Sequence, residues 1–191
     1  MSDLFDSAWA KLKGIEGDHS DDPNDSGGAT RWGVTEAMAR KHGYQGDMRQ
    51  LPADLAREIC KAEFWDVLRC DDVGDLSASI AYELLDTGYN MGPTWPGKFL
   101  QTALNAFNRS DLPEPEWPEL KVDGAIGDRT IAALDIFLGL DWPAGGVPAE
   151  APETIMMRAL NAQQGVRYLR LAAARHKDEK FVRGWFLNRV E

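Results

Sequence analysis

Residues 16–35 read EGDHSDDPNDSGGATRWGVT, and this stretch separates an amphipathic segment before it from a series of helical segments after it. Gly, Asp, Asn, Ser and Pro dominate its first half, so a helix cannot continue through it. Thr30, Trp32 and Val34 then alternate with other residues as the side chains of a strand do. The stretch therefore predicts an irregular loop followed by a small β-hairpin.

Apolar residues before this stretch recur at helical spacing. They are Phe5, Ala8, Trp9, Leu12 and Ile15. The pattern predicts an amphipathic helix over residues 3–14, which delivers Glu16 at or just beyond its end.

The segments after the hairpin are also mainly helical. Thr35 is placed to cap a short helix that Gly43 ends. Further helices are predicted from Pro52 to about residue 67, over 76–91 with an interruption near Gly88, and over about 95–107, 127–138 and 153–176. The Pro-rich, acidic segments DLPEPEWPEL (111–120) and DWPAGGVPAEAPE (141–153) are predicted to be exposed connections. A mainly α fold with one small β element follows.

The charge distribution limits the class of partner. A net charge of -10 argues against nucleic acid, because affinity for phosphate backbones requires clustered Lys and Arg. Residues 156–191 carry eight Lys and Arg against three Asp and Glu, a local charge of +5, so this segment is the one basic surface expected to meet an anionic polymer. The first thirty residues contain no uninterrupted apolar run, so neither a signal peptide nor stable membrane insertion is expected.

The cysteines and histidines do not form a recognisable metal or redox motif. Cys60 and Cys70 are ten residues apart, without zinc-type spacing, and are interpreted as buried thiols. His19, His42 and His176 show no H-E-x-x-H pattern, which leaves a metal or cysteine peptidase as a minor alternative. No metal and no organic cofactor is expected.

Three polar side chains surround the glycine-rich turn and suggest glycoside hydrolysis. Glu16 is followed nine residues later by Asp25 and five after that by Thr30. Hydrolysis of a glycosidic bond needs a protonated carboxylic acid for the leaving oxygen and a second carboxylate that positions water or stabilises positive charge. Glu16 would be the acid and Asp25 its partner. The neighbouring Trp9, Ile15 and Trp32 can supply an apolar wall that raises the pKa of Glu16.

Two other interpretations of the same turn remain open at this level. An acidic, Gly-rich loop is often only a solvated turn. Asp22, Asn24, Ser26 and Gly27 also imitate the start of an EF-hand calcium loop, but Gly33 stands at the twelfth position, where a bidentate Glu is required.

The pattern E-G-x7-D-x-G-G-x-T-x-x-G-V-T, read from Glu16 to Thr35, resembles the signature of the glycoside hydrolase family 108 lysozymes. These are N-acetylmuramidases, many of them encoded by phages. The resemblance implies that Glu16 is catalytic and that Asp25 and Thr30 help to position the attacking water. Asp18 stands where the family has a second glycine, and this extra charge beside the acid can change its pKa.

The resemblance extends over nearly the whole chain. LLDTGYNMGP, from Leu84 to Pro93, resembles the family's F-D-x-x-V-N-x-G segment at Asp86, Asn90 and Gly92. Asn90 is thus a candidate for binding a sugar amide or hydroxyl. The alternative is that Asp86 and Asn90 only cap and bridge helices. Residues 122–134, VDGAIGDRTIAAL, resemble the helical peptidoglycan-binding region of the family, and residues 181–190, FVRGWFLNRV, resemble its usual end.

These observations together predict a monomeric, lysozyme-like protein without cofactors. Residues 1–93 would form the catalytic muramidase lobe, and residues 94–191 a helical peptidoglycan-binding lobe packed on it. Trp32 and Asn90 would contact the substrate. The resemblance implies a phage endolysin that leaves the host cytoplasm through a holin-type release and acts in the periplasm or cell wall. Its activity would be cleavage of the β-1,4 bond between N-acetylmuramic acid and N-acetylglucosamine. A lytic transglycosylase and a non-catalytic wall-binding protein are the alternatives.

Overall fold

The computed structural model describes residues 2–15, 19–20, 30–108, 114–140, 151–176 and 179–190. Within these ranges the strands are β1 (His19–Ser20), β2 (Thr30–Arg31) and β3 (Val34–Thr35). The α-helices are α1 (Ser2–Ile15), α2 (Glu36–Lys41), α3 (Ala53–Cys60), α4 (Cys70–Leu76), α5 (Ala78–Met91), α6 (Thr94–Phe107), α7 (Asp128–Gly139), α8 (Ala151–Ala174) and α9 (Glu179–Arg189). A short 3₁₀ helix (Met48–Gln50) precedes α3, and a π-helical segment (Lys61–Trp65) continues it. The predicted mainly α fold with a small β element is confirmed.

The three short strands form an antiparallel sheet in the order β1-β2-β3. Thr30 pairs with Ser20 on one side and with Thr35 on the other. Thr35 then caps α2, since its side chain accepts a hydrogen bond from the backbone N–H of Met38 at 3.3 Å. The hairpin and α2 are therefore joined without a linker, as the cap predicted from the sequence requires.

Helix α5 is the central element of the fold. It packs against α1, α4, α6, α8 and the π-helical segment. Ile80, Ala81, Leu84 and Leu85 on this helix are buried, and each large apolar side chain removed from water stabilises the fold by about 1.5–3 kcal/mol. Cys60 and Cys70 are buried free thiols in the same core, as predicted, and burial raises the pKa of Cys60 to about 12.

The interruption predicted at Gly88 is wrong, because α5 continues through it to Met91. A Cβ atom at this position would lie 2.9 Å from Leu68 and 3.5 Å from Pro96. Glycine therefore allows close packing between neighbouring elements here, and this gain offsets its low helix propensity.

Two further predictions need correction. In the predicted connection 111–120, the described residues 114–120 are not all exposed, because Trp117 is buried and its ring lies 6.4 Å from that of Phe137. The helix predicted over 153–176 is observed as α8, but a separate helix, α9, follows it and packs back against it.

Amide side chains on α6 hold the chain that leads to α7. Asn105 donates to the carbonyl of Leu120 at 2.7 Å and accepts from its N–H at 2.9 Å. One turn earlier, Gln101 donates to the carbonyl of Ala125 at 2.9 Å and accepts from the N–H of Gly124 at 2.8 Å. Because residues four apart share one face of a helix, these side chains replace a missing secondary-structure partner for the loop backbone.

A buried ion pair ties the C-terminal helix α9 to the central helix. The guanidinium of Arg189 donates to the carboxylate of Asp86, and both side chains are only 6% exposed. Burial raises the pKa of Asp86, and the charge of Arg189 opposes that shift. Arg189 belongs to the basic segment expected to face an anionic polymer, and for this residue the expectation is wrong.

We predict that Arg189→Met destabilises the protein by about 3–5 kcal/mol, because it leaves the Asp86 carboxylate buried without its partner. Urea unfolding at pH 7 measures this cost. The cost should shrink as the pH falls, since an unpaired buried Asp86 can then take up a proton.

Arg183→Met is the matched control, because Arg183 is exposed on the same helix. It should change the free energy of unfolding by no more than about 0.5 kcal/mol. Equal stabilities of the two variants would show that the buried pair contributes nothing to the docking of α9.

Candidate functional site

The proposed catalytic acid and its partner lie outside the described residues, and the structure describes what flanks them. Glu16 follows directly after Ile15, the last residue of α1, and Asp25 lies between β1 and β2 in the chain. Thr30, the third member of the predicted set, is the first residue of β2. Of these three residues, the structure therefore places only Thr30, which lies in the central strand of the small sheet and pairs with a residue on each side.

The hairpin turn between β2 and β3 consists of Trp32 and Gly33, and both have positive φ angles, 52° and 70°. Two-residue hairpin turns with positive φ at both positions match the twist of the flanking strands. A large aromatic residue in this region of backbone space is strained, by about 1–3 kcal/mol, and such strain is concentrated at functional sites. The role of Trp32 in substrate binding stays a prediction.

The half-buried indole of Trp32 is held from several sides. Its Nε1 donates to the carbonyl of Leu51 at 3.3 Å. The ammonium of Lys13, near the end of α1, lies 4.6 Å from the ring centroid, and the guanidinium carbon of Arg31 lies 5.3 Å from it. Cations over an aromatic face are attracted by its quadrupole. Trp32 thus links the hairpin to the C-terminal turn of α1, directly before Glu16.

Tyr89 connects the hairpin to the central helix and is not among the site residues predicted from the sequence. Its hydroxyl donates to the carbonyl of Trp32. Its ring packs edge-on against Trp9 at 6.5 Å and against Phe64 at 5.3 Å. The sequence did contain one signal for such a role, a tyrosine inside a largely apolar helix, because the hydroxyl of a buried tyrosine usually has a hydrogen-bond partner.

Asn90, the second candidate for substrate binding, bridges two helices in this structure. Its Nδ2 donates to the hydroxyl of Tyr168 on α8 at 2.9 Å. Asp86, one turn earlier, bridges α5 to α9 through Arg189. Asp86 and Asn90 therefore both bridge helices, which is one of the two interpretations that the sequence left open. The bond to Tyr168 uses one of the two amide hydrogens of Asn90.

A basic aromatic patch follows Asn90 at the start of α6. The guanidinium carbon of Arg167 lies 3.3 Å from the ring centroid of Trp95, and the ammonium of Lys98 lies 5.4 Å from it. Burial lowers the pKa of Arg167. Trp185 and Phe186, which also belong to the basic segment, pack against Tyr168 at 4.8 and 6.3 Å. Much of the basic segment 156–191 therefore packs against other residues of the C-terminal helices.

The described part of the chain contains no group of three or more His, Cys, Asp or Glu side chains placed to hold a metal ion. Among the described helices, none combines the length and apolar character needed to cross a membrane.

Residues 9–92 match the family model described as Glycosyl hydrolase 108, and residues 96–190 match the model described as Predicted Peptidoglycan domain. The first of these regions is a glycosyl hydrolase 108 domain. With this domain and the peptidoglycan-binding region that follows it, the protein is a glycoside hydrolase that degrades peptidoglycan and has peptidoglycan as its partner. The resemblance derived from the motif beginning at Glu16 is thereby confirmed.

A search of the solved structures supports the fold of this glycosyl hydrolase 108 protein. It is similar to the structure of Brucella abortus SagA, with a TM-score of 0.61 and 22% sequence identity, and the match covers 100% of this chain and 98% of that one. Likeness at this level of identity shows the shared fold alone. A search of the curated proteins finds no match to this chain.

We predict that Gly33→Ala disturbs the site much more than Gly43→Ala does. Both glycines have positive φ, 70° and 85°, so both substitutions strain the backbone by about 1–2 kcal/mol. A Cβ atom at Gly33 would overlap the ring of Tyr89, whereas a Cβ atom at Gly43 has nothing within 4 Å. Turnover of purified peptidoglycan should fall at least about tenfold for Gly33→Ala, following a barrier change of about 1.4 kcal/mol or more.

Gly43→Ala should keep the turnover of the unmodified protein when both variants are measured at a temperature at which both are folded. A similar loss of turnover in both variants would show that backbone strain, and not the packing of Tyr89 against the hairpin, determines the effect.

Proposed function

We propose that this protein is a muramidase that hydrolyses the β-1,4 bond between N-acetylmuramic acid and N-acetylglucosamine, with Glu16 as the general acid. The observation that carries the proposal is the position of Glu16 in the chain, directly after the last residue of α1, whose final turn bears Lys13 beneath the ring of Trp32. The family motif that begins at Glu16 supports the same assignment.

Each member of the site then has a defined task. Glu16, protonated, donates its proton to the glycosidic oxygen as the bond to the muramic acid carbon breaks. The carboxylate of Asp25 and the hydroxyl of Thr30 orient the water whose oxygen forms the new bond to that carbon, and its proton leaves to the carboxylate. Trp32 contacts a sugar ring through the part of its half-buried indole that is open to solvent, and Asn90 offers its amide to a sugar substituent.

An apolar wall beside a carboxyl group disfavours its charged form. Trp9 and Trp32, the two rings that we propose for such a wall beside Glu16, both belong to the cluster that Tyr89 joins. An acid with a raised pKa is what protonation of the leaving oxygen requires.

We also propose a function for each half of the chain. Residues 1–93 form the catalytic lobe, and residues 94–191 form the peptidoglycan-binding lobe. The ends of the two family-model matches, at residues 92 and 96, support this division. The biological role that we propose is that of a phage endolysin, released from the host cytoplasm to act on the wall as a monomer.

Glu16→Gln is predicted to lower turnover of purified peptidoglycan by at least about 10²-fold, because the amide cannot donate a proton as a carboxylic acid does. Binding to sedimented walls and the melting temperature should stay unchanged. Glu58→Gln is the matched control, since Glu58 is exposed on α3 and far along the chain from the motif. If the turnover of Glu16→Gln stays within about threefold of that of the unmodified protein, Glu16 is not the general acid.

Analysis of the new sugar ends separates hydrolysis from the competing reaction. A muramidase leaves N-acetylmuramic acid at the reducing end of each fragment, because water adds to the carbon from which the bond breaks. A lytic transglycosylase leaves a 1,6-anhydro sugar without adding water. Fragments with reducing N-acetylglucosamine, or with anhydro ends, would contradict the proposed bond and reaction.

A further inference from the structure

A cavity of about 370 Å³ lies along α1, away from the helix end that precedes Glu16. Its walls come from α1, α5 and α9, with one residue from α8. Leu4 and Met157 supply apolar surface, and Lys11, Glu83, Asp86 and Arg189 bring charges of both signs. This volume falls within the range of small-ligand sites.

The carboxylate of Glu83 is oriented by a chain of buried polar groups. The side chain of Gln164 donates to the hydroxyl of Thr87 at 3.0 Å, and that hydroxyl donates to Oε1 of Glu83 at 3.2 Å. All three residues are buried, with exposures of 0%, 2% and 7%. Such a chain is strengthened by low local dielectric and holds the carboxylate rigidly at the cavity wall.

The charges that line the cavity lie at different depths, with the carboxylate of Glu83 buried and the ammonium of Lys11 exposed. Asp86 and Arg189 form a pair with each other. Lys11 is exposed, and its ammonium lies 4.8 Å from the centroid of the Tyr82 ring. A ligand with an ammonium directed inward and a carboxylate directed outward would therefore be complementary to Glu83 and Lys11.

We propose that this cavity binds the zwitterionic end of the diamino acid in a peptidoglycan stem peptide, with its ammonium at Glu83 and its carboxylate at Lys11. This deepens the proposed function and rests on it, because the stem must hang from a muramic acid held at the end of α1. Diaminopimelate, the third stem residue in many walls, carries a free ammonium and a carboxylate on one carbon.

The reach of the stem agrees with this position. Lys11 precedes Ile15 by four residues, which corresponds to about 6 Å along the axis of α1. Three extended residues span about 10 Å. A stem attached to a sugar beside the end of α1 can therefore place its third residue in the cavity while the glycan lies against the hairpin.

The test is the affinity of the full-length protein for a soluble stem tripeptide that ends in meso-diaminopimelate, measured by calorimetry or by chemical shifts. Glu83→Gln and Lys11→Gln should each raise Kd at least about fivefold, as expected when a charged hydrogen-bond partner is lost. Acetylation of the distal amino group should weaken binding to the unmodified protein and have no further effect on Glu83→Gln.

Glu58→Gln and Lys121→Gln are the control variants, because both alter exposed charges outside the cavity. Lys11 lies on the exposed rim, so its variant tests the proposal even if Glu83→Gln does not fold. Glu16→Gln should bind the tripeptide as the unmodified protein does, so failure of Glu16 as the acid is distinguished from failure of the cavity. Unchanged Kd in both cavity variants, or no binding at about 1 mM tripeptide, would overturn the proposal.

Discussion

The contact between Tyr89 and the hairpin turn is the constraint on which the arrangement of the site depends. A single phenol donates to the carbonyl of Trp32, lies where a side chain at Gly33 would stand, and packs against Trp9 of α1. The three β-strands are each two residues long, and so small a sheet has little stability of its own. Its position therefore depends on contacts with the helices, and the contact with Tyr89 joins it to α5 and, through Trp9, to α1.

The same helix also holds the C-terminal half of the chain. Glu83, Thr87 and Asn90 follow one another at spacings of four and three residues, so they form one stripe along α5. Thr87 and Asn90 reach Gln164 and Tyr168 on α8. Because one helix contacts the hairpin near its end and α8 along its side, the hydrolase part and the peptidoglycan-binding part share a rigid element. Helix α6 begins at Thr94, three residues after α5 ends at Met91, so no long linker separates the two parts at this point of the chain.

Local pattern was sufficient to predict much of this fold. Apolar spacing placed α1, α6 and α7 within one or two residues of their observed bounds, and Thr35 was identified as a cap from its position alone. The failures arose from contacts distant in sequence. Gly88 stays helical because elements far along the chain pack against it, and Trp117 is buried by Phe137. Tyr89 was missed for the same reason, since its partner lies 57 residues away.

Amide hydrogen exchange in Tyr89→Phe tests the central role of this contact most directly. Loss of one hydrogen bond, worth about 0.5–1.5 kcal/mol, should speed exchange of the amides in residues 30–35 by about twofold to tenfold. The amides of α8 serve as the internal reference and should keep their protection. Unchanged exchange in residues 30–35 would contradict the account, because the hairpin would then be held in place without the phenol of Tyr89.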